Sequence, residues 1–461
     1  MVNFDAVVIG GGPGGYVCAI RLAQLGKSVA LVDKRKTLGG TCLNVGCIPS
    51  KALLDSTEFY HQAKTKFGVH GIEMSGIAVN WEQMQKRKRD VVGATTKGID
   101  YLMSKNNISR LHGEAKILNP SLVLVGDQEI STRSIVIATG SIPVEIPFLP
   151  FDGRYILSSD DALALSAIPS SLIVVGGGVI GVEMGSIYAR LGTKVTVVEA
   201  MPNLIPTMDT DLAKALEKSL KPLGMAFQFN TKVTGMAIHN NQVSLQGMAK
   251  SGPVELTADA CLVCVGRRPY FDGLGVPELG IQLDARGRIQ VNHRFETNVA
   301  GIYAIGDVIP GPMLAHKASE EGSACADWIA GRHGHINYHA IPSVVYTWPE
   351  VASVGFSESE LTAADRSFKK GVVPFKASGR ARAAEETEGF IKVLADSNTD
   401  EVLGIHMIGP RCADLIAEAV CAVEYKASAE DIGLMSHPHP TFSETLKEAA
   451  LMATDNRAIH V

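Results

Sequence analysis

Two cysteines with a spacing suited to chemistry, Cys42 and Cys47, lie in the segment GGTCLNVGCIPSKALL of residues 39–54. Free cysteines in soluble proteins are often small buried apolar residues. Here a helix is predicted after Cys47, and thiols near a helix N-terminus, with Lys51 close by, gain thiolate character. The pair could form a redox-active disulfide, pack as structural thiols or hold part of a metal site. We favour the disulfide, because a zinc site needs further ligands and no Cys/His pair lies nearby.

The spacing of the pair sets a condition on the local backbone. On one ideal helix, residues five apart have Cα atoms about 8.6 Å apart. A disulfide requires less than about 7 Å. The segment must therefore be a distorted turn if the cysteines bond, and Gly46 and Pro49 are placed to allow one.

The other six cysteines do not suggest chemistry. Cys261 and Cys264 match a C-x-x-C pattern, but they fall in an apolar strand, where residues three apart point to opposite faces. The others lie in helical patterns and are expected to pack in the interior: Cys18, Cys325, Cys412 and Cys421.

A second candidate for chemistry is the segment SHPHPTFSETLKEAA near the C-terminus. His437 and His439 flank Pro438, and Glu444 follows His439 by five residues. A carboxylate on one ring nitrogen fixes the tautomer of a histidine and raises its basicity, as a general base requires.

Two glycine fingerprints predict the strands and helices that must position these groups. Each follows an apolar strand and precedes a helix, and an acid ends the next strand 23 positions after the first glycine. The first set is Gly10, Gly12, Gly15 and Asp33; the second is Gly176, Gly178, Gly181 and Glu199. In such units the glycines allow close backbone approach, the helix N-terminus attracts a pyrophosphate and the acid binds ribose hydroxyls.

The two units also end alike, in ATGSIP and CVGRRP, whose glycines Gly140 and Gly266 are 126 positions apart. We interpret them as two homologous dinucleotide domains, although one could be a copy kept only for structure. The first carries about 40 extra residues, which contain both cysteines. Glu199 would repel a 2′-phosphate, so the second unit is expected to prefer NAD. FAD in the first unit would complete an electron relay.

Composition excludes several classes of protein. The chain has 461 residues, 46% of them hydrophobic, and a net charge of −5, which offers no basic face for nucleic acid or anionic lipid. No apolar stretch reaches membrane-spanning length, and we expect no secretory signal, because no cationic segment with a cleavable apolar run precedes the first strand. A reducing cytoplasm is therefore the expected compartment.

The chain resembles the pyridine nucleotide-disulphide oxidoreductases over essentially its whole length. The motifs are GGTCLNVGCIPSK, both fingerprints, GIYAIGDV, MLAHKASEEG, YTWPEVASVG and HPHPTFSE. The resemblance implies that Cys47 lies beside the flavin, that Cys42 exchanges with substrate and that Glu183 lies near the flavin–nicotinamide contact. Further FAD contacts implied by it are Asp33, Lys51, Ala115, Thr139, Gly140, Ser141, Asp307, Met313, Leu314, Ala315 and His316.

The same resemblance assigns the base to His439 and its partner to Glu444, with His437 in a structural role. It implies a homodimer in which the histidine comes from the other subunit. The implied reaction oxidises dihydrolipoamide and reduces NAD⁺, within 2-oxo acid dehydrogenase or glycine cleavage complexes whose lipoyl domains are the partners. The alternatives are a related disulfide or mercuric reductase, or a flavin-bearing binding protein without lipoamide turnover.

The expected fold class is α/β, with two Rossmann-like dinucleotide domains and a C-terminal α+β dimerisation domain. We predict domain bounds of 1–145 for FAD with the disulfide and 146–270 for NAD. Residues 271–340 should form a central domain that returns to FAD, and 341–461 the interface domain. The charged segment 369–389 is expected to be a solvated loop.

Overall fold

A computed structural model describes residues 2–461. Two compact units divide the chain. The first unit contains residues 1–52, 82–144 and 266–336, and the second contains residues 53–81, 145–265 and 337–461. The finer division into four domains stays a prediction.

The helices of eight or more residues are α1 (Pro13–Gln24), α3 (Cys47–Thr65), α4 (Trp81–Lys105), α6 (Val179–Arg190), α7 (Thr210–Leu220), α8 (Ala315–Ile329), α11 (Cys412–Glu424) and α13 (Glu444–Asp455). The shorter ones are α2 (Gly40–Val45), α5 (Ser159–Leu163), α9 (Glu358–Ala363), α10 (Gly379–Ala383) and α12 (Ala429–Leu434). Among the residues that the structure describes, no helix is both long enough and apolar enough to cross a membrane.

The first unit is built on a sheet of seven strands in the order β3-β2-β1-β6-β5-β4, with β17 also paired to β6. Its strands are β1 (Val2–Ile9), β2 (Val29–Asp33), β3 (Ser109–His112), β4 (Ala115–Asn119), β5 (Leu122–Val125), β6 (Gln128–Ile137) and β17 (Ile302–Ala304). Strands β3, β2, β1, β6 and β17 are parallel, whereas β4 and β5 form an antiparallel extension. A parallel sheet needs cover on its faces, and residues 6–9 of β1, 29–32 of β2 and 135–137 of β6 are accordingly buried.

The second unit contains a parallel sheet of the same design, in the order β11-β10-β9-β15-β8. Its strands are β8 (Ile156–Leu157), β9 (Ser171–Val175), β10 (Lys194–Val198), β11 (Met225–Gln228) and β15 (Ala260–Val263). In both sheets the fingerprint strand lies between the strand that ends in the acid and the strand that leads to the closing glycine. The predicted repeat and α/β fold class are therefore confirmed.

Smaller sheets complete the two units. Strands β12 (Lys232–His239), β13 (Gln242–Ala249) and β14 (Gly252–Ala258) form an antiparallel sheet, and β7 (Ser141–Pro143) pairs with β16 (Arg267–Pro269). The C-terminal region has an antiparallel sheet in the order β18-β19-β22-β21-β20, against which α11 and α13 pack. Its strands are β18 (Ser343–Val345), β19 (Glu350–Gly355), β20 (Phe368–Pro374), β21 (Phe390–Asp396) and β22 (Val402–Gly409).

The expectation of a solvated loop over residues 369–389 is wrong for most of its length. Strand β20 and helix α10 occupy it, and Phe375 and Ala381 are fully buried. The reason is that every second residue of 371–375 is buried, so one face of this stretch packs on the C-terminal core, while Lys370, Lys376 and Arg382 are exposed.

Candidate active site

The thiol pair sits at a break between two helices. Helix α2 ends at Val45, Gly46 takes φ −137° and ψ −115°, and α3 begins at Cys47. A Cβ on Gly46 would lie 2.9 Å from the Thr41 carbonyl oxygen and 3.3 Å from the Cys42 Cα, so the close return of the chain needs glycine. The segment is thus distorted where the spacing of the cysteines requires it.

The break brings the two thiols into contact. Cys47 hydrogen-bonds the Cys42 thiol, and this contact together with burial raises the pKa of Cys42 above its ordinary value. The positive charge of Lys51 acts in the opposite direction but is a smaller influence. The sequence led us to expect a lowered pKa and more thiolate at this pair. The pKa of Cys42 is raised instead, because its neighbour is a second thiol.

Of the other six cysteines four are buried, Cys264 is partly buried, and one is an exception to the prediction. Cys261 is buried in the second unit, and its burial raises the pKa of its thiol to about 12. Cys18, Cys325 and Cys412 are also buried. The exception is Cys421, which is exposed on α11, so the prediction that it packs in the interior is wrong.

The first glycine turn has the geometry of a dinucleotide cradle. Gly10 has φ +107°, and a Cβ on Gly15 would overlap the Gly10 carbonyl oxygen. Helix α1 begins directly after Gly12. Asp33 at the end of β2 accepts a hydrogen bond of 2.6 Å from the Gly11 N–H, which joins the acid to the turn.

The second turn repeats this geometry. Gly176 has φ +107°, a Cβ on Gly181 would overlap the Gly176 carbonyl oxygen, and α6 begins after Gly178. Glu199 accepts a hydrogen bond of 2.6 Å from the Gly177 N–H. Glycine at these positions allows the tight turn and the close packing of the helix on its strand, and the helix N-terminus that follows suits a pyrophosphate, so both turns fit a dinucleotide.

Polar groups beside the first turn also fit a bound cofactor. Ser141 donates a hydrogen bond of 2.6 Å to Asp307, and the buried hydroxyl of Thr139 has no hydrogen-bond partner within residues 2–461. A buried hydroxyl without a partner is costly, and a polar ligand would satisfy it. Gly140 takes φ +73° between these two residues.

The remaining predicted cofactor residues lie at element ends. Ala115 begins β4, and Lys51 lies in the first turns of α3. Met313 and Leu314 immediately precede α8, whose first residues are Ala315 and His316. Gly266 follows strand β15 by three residues, and Glu183 lies buried in α6, where it accepts a hydrogen bond of 2.9 Å from the Tyr346 N–H.

The histidine and carboxylate pair forms within the second unit. His439 Nδ1 and Glu444 Oε1 are 2.8 Å apart, and Glu444 Oε2 accepts a hydrogen bond of 2.8 Å from the Thr441 N–H. Burial alone would raise the pKa of Glu444, but the bonds from Thr441 and His439 outweigh it and the pKa is lowered. The His439 side chain is 80% exposed, and its Nε2 accepts no hydrogen bond from the described residues.

His437 differs from His439 in what its ring can do. Its Nε2 lies 2.8 Å from Glu418 Oε1 and its Nδ1 lies 3.2 Å from the Met435 carbonyl oxygen, so both nitrogens are engaged. The bond to Glu418 raises the pKa of His437. Of the two, only His439 keeps a ring nitrogen available for a proton from outside.

Sequence reasoning missed three residues that organise these sites. Thr441 donates a hydrogen bond to Glu444, the partner of His439, and Glu418 is the partner of His437. Arg267 donates two hydrogen bonds to Ser141. For Arg267 a signal existed, since it occupies the position in the second repeat that Ser141 occupies in the first. For Glu418 there was none, because the contact joins α11 to a loop 19 residues away.

Comparisons with known proteins agree with this geometry. Residues 4–322 match the model for pyridine nucleotide-disulphide oxidoreductases, and residues 341–450 match the dimerisation domain of the same family. The chain is 49% identical to a dihydrolipoyl dehydrogenase of Trypanosoma brucei brucei over 97% of this chain and 96% of the relative. It is 46% identical to the mitochondrial dihydrolipoyl dehydrogenase of Bos taurus over 100% and 92% of the two chains.

Solved structures show the same relationship. LpdA from Mycobacterium tuberculosis superposes with a TM-score of 0.89 at 26% identity, covering 98% of this chain and 99% of that one. The flavoprotein disulfide reductase RclA from Escherichia coli gives a TM-score of 0.87 at 27% identity, with 98% and 100% covered. Two repeated dinucleotide turns, an inserted thiol pair and both matched domains lead to one conclusion: this chain belongs to the pyridine nucleotide-disulphide oxidoreductase family.

Proposed function

We propose that this chain oxidises dihydrolipoamide to lipoamide and reduces NAD⁺ to NADH, with FAD as its prosthetic group. The observation that carries the proposal is the Cys42–Cys47 pair, held in contact across the helix break at Gly46. It occurs in a chain 46–49% identical to dihydrolipoyl dehydrogenases over nearly its full length.

The two glycine turns would hold the two cofactors. For FAD the residues are Gly10, Gly12, Gly15, Asp33, Lys51, Ala115, Thr139, Gly140, Ser141, Asp307, Met313, Leu314, Ala315 and His316. For NAD they are Gly176, Gly178, Gly181, Glu183, Glu199 and Gly266. Glu199 favours NAD over NADP, because a carboxylate in that place repels a 2′-phosphate.

The protein's own groups carry the thiol chemistry. His439 takes a proton from the substrate dithiol at Nε2, while Glu444 holds the other ring nitrogen. The resulting thiolate attacks Cys42 of the oxidised pair, the Cys42–Cys47 bond breaks, and Cys47 leaves as a thiolate. The second substrate sulfur then displaces Cys42 and closes the lipoamide disulfide, which leaves both cysteines reduced. Bound FAD and NAD⁺ would supply the two-electron transfer that restores the disulfide.

We place the active site across a homodimer, with the thiol pair of one subunit served by His439 and Glu444 of the second. The matched dimerisation domain supports this assignment, since it contains both His439 and Glu444. The substrate would be presented on lipoyl domains of 2-oxo acid dehydrogenase or glycine cleavage complexes. A thiol pair that must cycle between two states suits the reducing compartment expected from the sequence.

Replacement of the exchanging thiol tests the proposal. Cys42→Ser should abolish NADH formation from dihydrolipoamide and NAD⁺, because serine cannot form the mixed disulfide. Cys421→Ser is the matched control, since Cys421 is exposed on α11 and should leave the rate unchanged. Full activity in Cys42→Ser would refute the exchange mechanism.

A further inference from the structure

Equivalent positions of the two repeats touch each other beside the first glycine turn. Ser141 follows Gly140 and Arg267 follows Gly266, and both pairs are 126 positions apart. Strands β7 and β16, which begin with these residues, pair in antiparallel fashion. The Arg267 Nε donates to Ser141 Oγ at 2.8 Å, and its Nη2 donates to the Ser141 carbonyl oxygen at 2.7 Å.

This contact fixes the direction of a hydrogen-bond chain. A guanidinium can only donate, so the Ser141 oxygen must accept from Arg267. The single hydroxyl proton of Ser141 is then directed to Asp307 Oδ2, 2.6 Å away. The other carboxylate oxygen of Asp307 accepts no hydrogen bond within the described part of the chain.

The backbone just before Asp307 is held by a separate pair of charges. The Gly306 N–H donates to Glu321 at 2.8 Å, and the Lys317 Nζ donates to the Gly306 carbonyl oxygen at 3.2 Å. Lys317 and Glu321 lie 2.9 Å apart and are both fully buried. Helix α8 therefore sets the position of Asp307, whereas the Arg267–Ser141 contact sets the orientation of its carboxylate.

We propose that Arg267 is a positioning residue for the flavin cofactor, acting through Ser141 on Asp307. This inference rests on the proposed function, which places Asp307 among the residues that hold FAD. With one carboxylate oxygen occupied by Ser141, the other is left to accept a cofactor hydroxyl. The unpartnered hydroxyl of Thr139, two residues before Ser141, is further evidence that a polar ligand belongs here.

The test is the dissociation constant of FAD, measured from the flavin fluorescence released as the holoprotein is diluted. Arg267→Met and Ser141→Ala should each weaken FAD binding by about tenfold, as expected for loss of a charge-assisted hydrogen bond. Ser141→Thr keeps the hydroxyl and should restore binding. Arg268→Met is the control, because Arg268 pairs with Asp272 at the surface and should have no effect.

Combination with Asp307→Asn separates positioning from a merely structural role. If Arg267 acts through Asp307, Arg267→Met should have little further effect on FAD binding in the Asp307→Asn background. An equal loss in both backgrounds, or no loss from Arg267→Met and Ser141→Ala alone, would overturn the inference. Unchanged FAD binding in Asp307→Asn would instead overturn the proposed assignment of Asp307 itself.

Discussion

At the scale of single residues, hydrogen bonding decides which of two similar histidines can act as a base. His437 and His439 lie two residues apart, and each has a carboxylate partner at 2.8 Å. The second nitrogen of His437 is engaged by a backbone carbonyl group, whereas that of His439 is exposed and available. A general base needs one nitrogen oriented and the other accessible, which only His439 satisfies.

This difference predicts unequal effects of the same substitution. His439→Gln should lower the rate of lipoamide turnover by about 10²- to 10⁴-fold, the usual contribution of a general base. Transfer of electrons from NADH to an artificial dye should persist, because it needs no proton from the substrate dithiol. His437→Gln is the matched control and should retain most of the turnover. Comparable losses in the two variants would contradict the assignment of the base.

At the scale of elements, a helix break one residue long sets the distance between the thiols. A continuous helix would hold the Cα atoms of Cys42 and Cys47 about 8.6 Å apart, too far for a disulfide. Gly46 ends α2 and lets α3 begin at Cys47 with its backbone close to Thr41. The close approach of the two thiols therefore depends on a residue that has no side chain.

Gly46→Ala should impair formation of the disulfide. The added Cβ would lie 2.9 Å from the Thr41 carbonyl oxygen, so α2 or the start of α3 must shift and separate the thiols. The fraction of the pair oxidised in a defined glutathione buffer, measured by thiol titration, should fall. Gly98→Ala is the control, since a Cβ at Gly98 in α4 meets nothing within 4 Å. A disulfide as stable in Gly46→Ala as in the parent protein would show that the break is dispensable.

Residues whose roles depend on local constraints could be predicted from the sequence. The glycine turns and the acids Asp33 and Glu199 follow from the short path between a strand, a tight turn and a helix. By contrast, the Arg267–Ser141 and His437–Glu418 contacts join residues 126 and 19 positions apart. The repeat marks Arg267 and Ser141 as equivalent positions, but whether such residues touch depends on how the elements pack, which a single sequence does not display. The buried side of residues 369–389 was missed because its many charges obscured an alternating apolar pattern.

At the scale of the whole molecule, the proposed active site needs two copies of the chain. The thiol pair belongs to the segment matched by the oxidoreductase domain, and His439 and Glu444 belong to the matched dimerisation domain. In this proposal a closed twofold dimer would make two identical sites, each of which takes its thiols from one subunit and its base from the other.

Mixing two inactive variants tests this arrangement. Cys42→Ser and His439→Gln subunits, co-expressed in equal amounts, should form mixed dimers with one intact site each, and overall activity should return to about a quarter of the wild-type value. Each variant expressed alone is the control and should be inactive. If both groups came from one subunit, no mixed dimer would contain an intact site, and the mixture would stay inactive.

The most direct test of the central claim is the reaction itself. Purified protein loaded with FAD is supplied with dihydrolipoamide and NAD⁺, and NADH is followed by absorbance, with NADP⁺ and reduced glutathione as parallel controls. The proposed function predicts fast NADH formation with dihydrolipoamide and NAD⁺, and little product with either control. NADP⁺ should react slowly because Glu199 disfavours its 2′-phosphate. Turnover of glutathione in preference to dihydrolipoamide, or no turnover of dihydrolipoamide by protein with bound flavin, would contradict it.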